Sequence, residues 1–204
     1  MSYTLYSRRN TGGLAVEAAL AKTGAAYTVK EVSREQQQAP EFLAISPLGH
    51  VPALALPDGS VMTESAAMVM HLANLHPDAG LAPKPGTPAH ATFLRWMLFM
   101  AANIYEADLR YFYPERYTTD TAGADGVKAA AEQRMAQCFA LMEPALDPFV
   151  CGKEMSIADV YLAMLTEWSP SPLTAPKFIA LRKAVAADPH YGPVWRGHLV
   201  TPGT

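Results

Sequence analysis

The chain is poor in cysteine and in charge. Its 204 residues include two cysteines, Cys138 and Cys151. They form no C-x-x-C, which excludes a thioredoxin-type dithiol, and reduced thiols fit a cytoplasmic protein. Charged residues make up 17% of the chain, the net charge is −3, and lysine and arginine never cluster. A nucleic-acid-binding surface is therefore excluded. No apolar run reaches membrane-spanning length, so no membrane partner is expected. The opening Met1-Ser2-Tyr3-Thr4 lacks a basic-then-apolar leader, again as expected of a cytoplasmic chain. There is no H-E-x-x-H and no cysteine/histidine set with metal spacing, so no metal site is expected. Phosphate-cradling loops of the G-x-G-x-x-G or Walker type are missing too, as are repeats and low-complexity segments.

What the chain does have is apolar content, 50% of it, enough for one or two packed cores. Tyr3-Thr4-Leu5-Tyr6 alternates as a strand, and Leu14 to Thr23 favours helix with Gly24 as its stop. Tyr27 to Val32 alternates again. Strand, helix, strand implies a parallel pair. Ser33 to Ile45 reads as polar, then partly helical. Val51 to Leu54 and Ser60 to Met62 read as a hairpin around Asp58-Gly59, and Ser65 to His76 as a helix. Four prolines and two glycines between Pro77 and Pro88 mark a domain boundary. Thr87 and Pro88 are cap and first residue of a helix running to Tyr111. A further helix is expected from Asp125 to about Pro148, bent or split at Pro144. The last is expected over Phe178–Ala187. Ser156-Ile157-Ala158-Asp159 is a capping box at the start of an apolar helix. The expected domains are residues 1–78 and 88–204, joined by a linker at 79–87.

The stretch Gly49-His50-Val51-Pro52-Ala53-Leu54 carries the first chemical signal. Proline gives a ladder no N–H, so it marks a strand entry, and there the X–Pro bond can be cis. Such an entry leaves the main chain of Val51 open to an extended peptide. Thr63-Glu64-Ser65 opens the next helix, where hydroxyl and carboxylate can cap and backbone N–H groups attract an anion. Together they fit a small peptide with a free α-amino-acid end. Thr11-Gly12-Gly13 opens the first helix, and its glycines leave N–H groups accessible.

The run Ser46-Pro47-Leu48-Gly49-His50-Val51-Pro52-Ala53-Leu54, Asp58-Gly59 and Thr63-Glu64-Ser65-Ala66-Ala67 resembles the glutathione-binding half of the glutathione transferases. Ser156-Ile157-Ala158-Asp159-Val160-Tyr161-Leu162 resembles the buried capping box of their helical domain. The resemblance implies an α/β thioredoxin-like N-terminal domain followed by an all-α C-terminal domain, assembled as a homodimer. It implies glutathione as co-substrate, with its thiolate attacking a small hydrophobic electrophile. Val51 and Pro52 would pair with the tripeptide, His50 would reach its glycine carboxylate, and Glu64 and Ser65 would hold its γ-glutamyl end. Three hydroxyls compete for the thiol, ranked Thr11, Ser7, Tyr6. Thr11 falls where the bacterial beta class carries a cysteine, so a mixed disulfide there is impossible. Tyr6 stands where tyrosine-type transferases carry their activating tyrosine. Asn103, Tyr105, Tyr111 and Trp168 are the candidates for the electrophile pocket. Tyr105-Glu106 replaces the beta-class histidine-lysine pair, which removes a base and reverses a charge. Alternatives are a non-catalytic binder of glutathione or hydrophobic ligands, or a glutathione-dependent isomerase, dehalogenase or peroxidase. An isomerase acting on a diacid would draw on Arg8, Arg9 or Arg110.

Overall fold

Alternation along Tyr3–Ser7 buries Tyr3, Leu5 and Ser7 on one face and turns Thr4 and Tyr6 to the other. This is β1 in the computed structural model, which describes residues 2–199. Strand β2 (Tyr27–Glu31) lies parallel to β1, from Tyr3 opposite Tyr27 to Ser7 opposite Glu31. On the other side β3 (Ala53–Ala55) runs antiparallel, with Leu5 opposite Leu54, and β4 (Val61–Met62) closes the sheet in the order β2-β1-β3-β4. The hairpin turns as its residues require. Gly59 takes φ 90°, and the Asp58 carboxylate accepts from the Ser60 N–H at 2.9 Å and the Ser60 hydroxyl at 2.6 Å. Helices α1 (Gly13–Thr23), α2 (Pro40–Leu43) and α3 (Ser65–Leu75) complete a thioredoxin-like β-α-β-α-β-β-α order. Leu5, Leu14, Leu54, Met68 and Leu72 form its fully buried core.

The chain divides by contacts into Met1–Ala82 with Ala184–Thr204, and Pro83–Lys183. The expected second domain at 88–204 thus differs from the observed part at its C-terminal end. The physical reason is helix α9 (Tyr191–His198), which packs against α1. Lys22 approaches Asp188 at 3.8 Å, and His198 pairs with Glu17 at 2.7 Å. Sequence reasoning expected the last helix at Phe178–Ala187 and read none here; Pro193 lies in the first turn of α9. Proline in a first turn costs no intrahelical bond.

The other part is helical. In α4 (Pro88–Phe99) Thr87 accepts from the His90 N–H at 3.2 Å, with Pro88 at the first position. The helix continues through a π-helical turn, Met100–Tyr105, into α5 (Glu106–Phe112), where sequence reasoning expected one regular helix. Helix α6 (Ala124–Met142) ends at a 3₁₀ turn containing Pro144. Helix α7 (Ile157–Trp168), mostly apolar, is buried on nearly every side. At its start the Ser156 N–H and hydroxyl donate to Asp159 at 2.8 and 2.9 Å, and the Val150 N–H donates to the other carboxylate oxygen at 2.8 Å. Helix α8 (Pro176–Ala187) leads back to the first part. Among the described residues no helix is long and apolar enough to cross a membrane.

Candidate functional site

Sheet topology brings three short segments to one place. The carboxyl end of β1 leads into α1, the carboxyl end of β4 leads into α3, and the entrance of antiparallel β3 lies beside the end of β1, with Tyr6 opposite Ala53. Val51-Pro52, Glu64-Ser65 and the mouth of α1 therefore share one end of the sheet.

At the mouth of α1 two hydroxyls meet one carbonyl. Thr11 is buried and donates to the Arg8 carbonyl at 2.6 Å, while accepting from the Gly13 N–H at 3.4 Å. Ser7 is also buried, and its bond to the same carbonyl is longer, 3.4 Å. A Cβ on residue 13 would lie 1.8 Å from the Ser7 hydroxyl oxygen, so only glycine lets β1 and α1 close in this way. The Thr11 proton is thus engaged in a short bond, and that of Ser7 is held at the limit of bonding. Tyr6 is not part of this cluster. It lies on the opposite face of β1, its ring 6.2 Å from Phe42 and beneath the Lys30 ammonium at 5.4 Å.

Ser46 shapes the Val51 loop. Its hydroxyl donates to the His50 carbonyl at 2.9 Å and accepts from the His50 N–H at 3.2 Å, leaving the His50 side chain exposed. The Val51–Pro52 peptide is cis. Among the described residues neither the N–H nor the C=O of Val51 joins a backbone hydrogen bond. Glu64 sits at φ 67°, ψ 98°, a strained conformation for a residue with a Cβ, with a cost on the order of 1–3 kcal/mol. Its carbonyl accepts from the Met68 N–H at 3.0 Å and so starts α3, but its exposed carboxylate does not cap the helix. Ser65 follows, buried, as the first residue of α3.

In the helical part the expected pocket residues separate into two groups. The Tyr105 ring stands 5.6 Å from Trp168 and 6.4 Å from Tyr161. Asn103 instead donates to the Phe99 carbonyl at 3.1 Å and accepts from Arg134 of α6 at 2.5 Å. Tyr111 lies edge-on to Phe112 at 5.1 Å and under the Lys128 ammonium at 4.6 Å. Helical rotation separates residues two apart, so Asn103 and Tyr105 diverge.

Sequence reasoning passed over Asp108. It is buried, one carboxyl oxygen has no hydrogen-bond partner, and burial pushes its pKa up to about 7. The signal was present: Asp108 follows Ile104 by four residues and Tyr105 by three, which places an acid on a buried face. The Trp168 indole N–H is likewise buried with no hydrogen-bond partner. Burial also pushes the Cys151 thiol up to about 11 and raises that of Cys138, so neither is a reactive thiolate. Among the described residues no cluster of potential ligands could hold a metal ion.

Residues 1–74 match the family model of the glutathione S-transferase N-terminal domain. A glutathione S-transferase of Escherichia coli O157:H7, GstA, is 24% identical over 168 residues, covering 81% of this chain and 81% of that protein. The crystal structure of a glutathione transferase homologue from Sulfitobacter, with bound glutathione, superposes with a TM-score of 0.89. It is 29% identical, over 97% of this chain and 99% of that one. A bacterial beta-class enzyme from Sphingomonas chungbukensis superposes with a TM-score of 0.82 at 28% identity, over 97% of this chain and all of that one, 100%.

Proposed function

We propose that this chain, which belongs to the glutathione S-transferase family, binds glutathione at the shared end of the sheet and transfers it to a hydrophobic electrophile. The observation that carries the reading is the convergence there of an unpaired Val51 main chain, a strained Glu64 ahead of a buried Ser65, and a hydroxyl-lined helix mouth. The extended tripeptide pairs with Val51 beside Pro52. The start of α3 and the Ser65 hydroxyl receive its γ-glutamyl carboxylate, Glu64 its ammonium group, and exposed His50 its glycine carboxylate.

The sulfur then lies at the mouth of α1. A free thiol has a pKa of about 8.5, and lowering it by about two units takes roughly 2.7 kcal/mol of preference for the anion. Helix N–H groups and one donated hydroxyl supply energy of that order. Thr11 and Ser7 are the donors in reach. Thr11 must turn its proton from the Arg8 carbonyl to the sulfur, and Ser7 gives up less in doing so. Tyr6, on the other face of β1, is assigned no proton to donate. The thiolate attacks an electrophilic carbon, forms the S–C bond, and expels the leaving group with its electron pair. Of the residues expected to line the electrophile pocket, Tyr105 and Trp168 stand together as one aromatic surface of the helical part, whereas Asn103 and Tyr111 are engaged by Arg134 and Lys128 of α6.

A symmetric homodimer goes with this reading. Ala91, Leu94, Leu98 and Ala102 lie exposed along one side of α4 and its continuation, Leu98 at 59% exposure, a stripe that a second copy would cover. So does a cytoplasmic location. One observation favours a second reading, a binder without catalysis: the short Thr11 bond keeps its proton from the sulfur. Retention on immobilised glutathione tests the shared part of both readings. Ser65→Ala and Glu64→Ala should each reduce it; retention untouched by either change discards the site.

A further inference from the structure

A groove of about 740 Å³ opens within the helical part, with the π-helical turn and α5 on one side and α6 on the other. The function proposed above does not use it. It meets the stripe assigned to a second copy only at Ala102, and it contains Asn103, the member of the expected pocket that bonds α6.

Small residues make its floor. Ala102 and Ala107 come from one side, and Val127, Ala130 and Ala131 from the other. All but Val127 end at a Cβ, so the floor is flat and apolar. The π turn, Met100–Tyr105, adds a second feature, since such turns are rare and recur at functional sites. Here it brings Asn103 to α6. The Asn103 amide donates to the Phe99 carbonyl at 3.1 Å, and its side-chain oxygen accepts from Arg134.

Three charged side chains line the groove: Glu106, Arg110 and Arg134. Glu106 is already engaged. It accepts from Arg110 Nε and Nη2 at 3.3 and 3.2 Å, and from the Tyr117 hydroxyl. The Tyr117 ring also lies 5.4 Å from the Arg110 guanidinium. Arg134 has no acid to match it. Among the described residues its one hydrogen bond goes to the neutral Asn103 side chain, and its other N–H groups remain available. The next acid along α6, Glu132, accepts from Ser171 at 2.8 Å instead. Glu106 and Arg110 cancel, and the charge of Arg134 is left over. Asn103 holds the guanidinium that carries it.

We propose that this groove binds a flat aromatic carboxylate, its head on the Arg134 guanidinium beside Asn103 and its rings on the alanine floor between α5 and α6. A guanidinium fork matches a carboxylate in shape as well as in charge. The volume falls in the range of small-molecule sites, which are apolar surfaces with a few placed polar groups.

The test is calorimetric titration of the full chain with 2-naphthoate, with and without saturating glutathione. One site per chain is expected in both conditions, with about tenfold weaker binding of the neutral 2-naphthamide. Arg134→Gln keeps a donor toward Asn103 but removes the charge. It should weaken 2-naphthoate about tenfold and leave 2-naphthamide within about twofold. Ala130→Trp fills the floor from an exposed position. It should abolish binding while leaving retention on immobilised glutathione unchanged. No binding, equal binding of acid and amide by the wild type, or undiminished binding of the acid by either variant overturns the site. Displacement by glutathione also overturns it, by placing the ligand in the tripeptide site.

Discussion

Replacing Asp108 with asparagine should remove a pH-dependent loss of stability. In the folded chain burial raises this carboxyl from its ordinary 3.8 to about 7. Below about pH 4 it is protonated whether the chain is folded or not, and it contributes nothing. Between about 4 and 7 the folded state holds a proton that the unfolded state has lost, so stability falls as pH rises. Above 7 the penalty is complete. A difference of about three pH units corresponds to about 4 kcal/mol, of which about 3 kcal/mol is lost between pH 5 and pH 8. Asp159, raised to about 6 by burial against the pull of its Val150 and Ser156 bonds, acts in the same direction at the lower end of that window. The lowered carboxyls, Asp58 and Asp147, lose their contribution only as pH falls below their ordinary range. Urea denaturation of wild type and Asp108→Asn, at one protein concentration from pH 5 to pH 8, isolates the difference. The wild-type curve should fall more steeply by about 3 kcal/mol. Parallel curves would refute the burial argument, whatever the absolute stability of the variant.

Glu64→Gly should raise stability by about 1 kcal/mol, since glycine adopts φ 67° without strain, and should weaken retention on glutathione; a loss of stability would contradict the strain. Ser7→Ala and Thr11→Val separate the two hydroxyls. The one that serves the sulfur should lower the rate of glutathione transfer by about tenfold to a thousandfold, the range for one lost anion donor, while the other variant stays within about twofold. Equal, small effects from both would leave the helix N–H groups as the only stabiliser.

Much of this was legible because local chemistry decided it. Asp58-Gly59 dictates the turn from its own side chain and backbone, and Ser156 and Asp159 find each other within a single helical turn. Thr87-Pro88 likewise sets the start of α4. What was not legible depends on partners distant in sequence or on a change that leaves composition intact. The π-helical turn at Met100–Tyr105 keeps the same apolar residues as a regular helix and differs only in how they are rotated. That rotation decides which of Asn103 and Tyr105 meets α6 and which meets Trp168. Helix α9 has meaning only against α1, through Glu17 and His198, 181 residues apart. The ranking of the hydroxyls depended on facing. Ser7 and Tyr6 are neighbours in sequence, yet the strand sends one to Gly13 and the other to Phe42.

The claim at the centre is that the mouth of α1 ionises the thiol of a tripeptide held between Val51 and Ser65. Ultraviolet titration of the thiolate band of glutathione bound to the protein measures this directly. The account predicts a midpoint about two pH units below the roughly 8.5 of the free thiol. A bound thiol that titrates with the free one would contradict it.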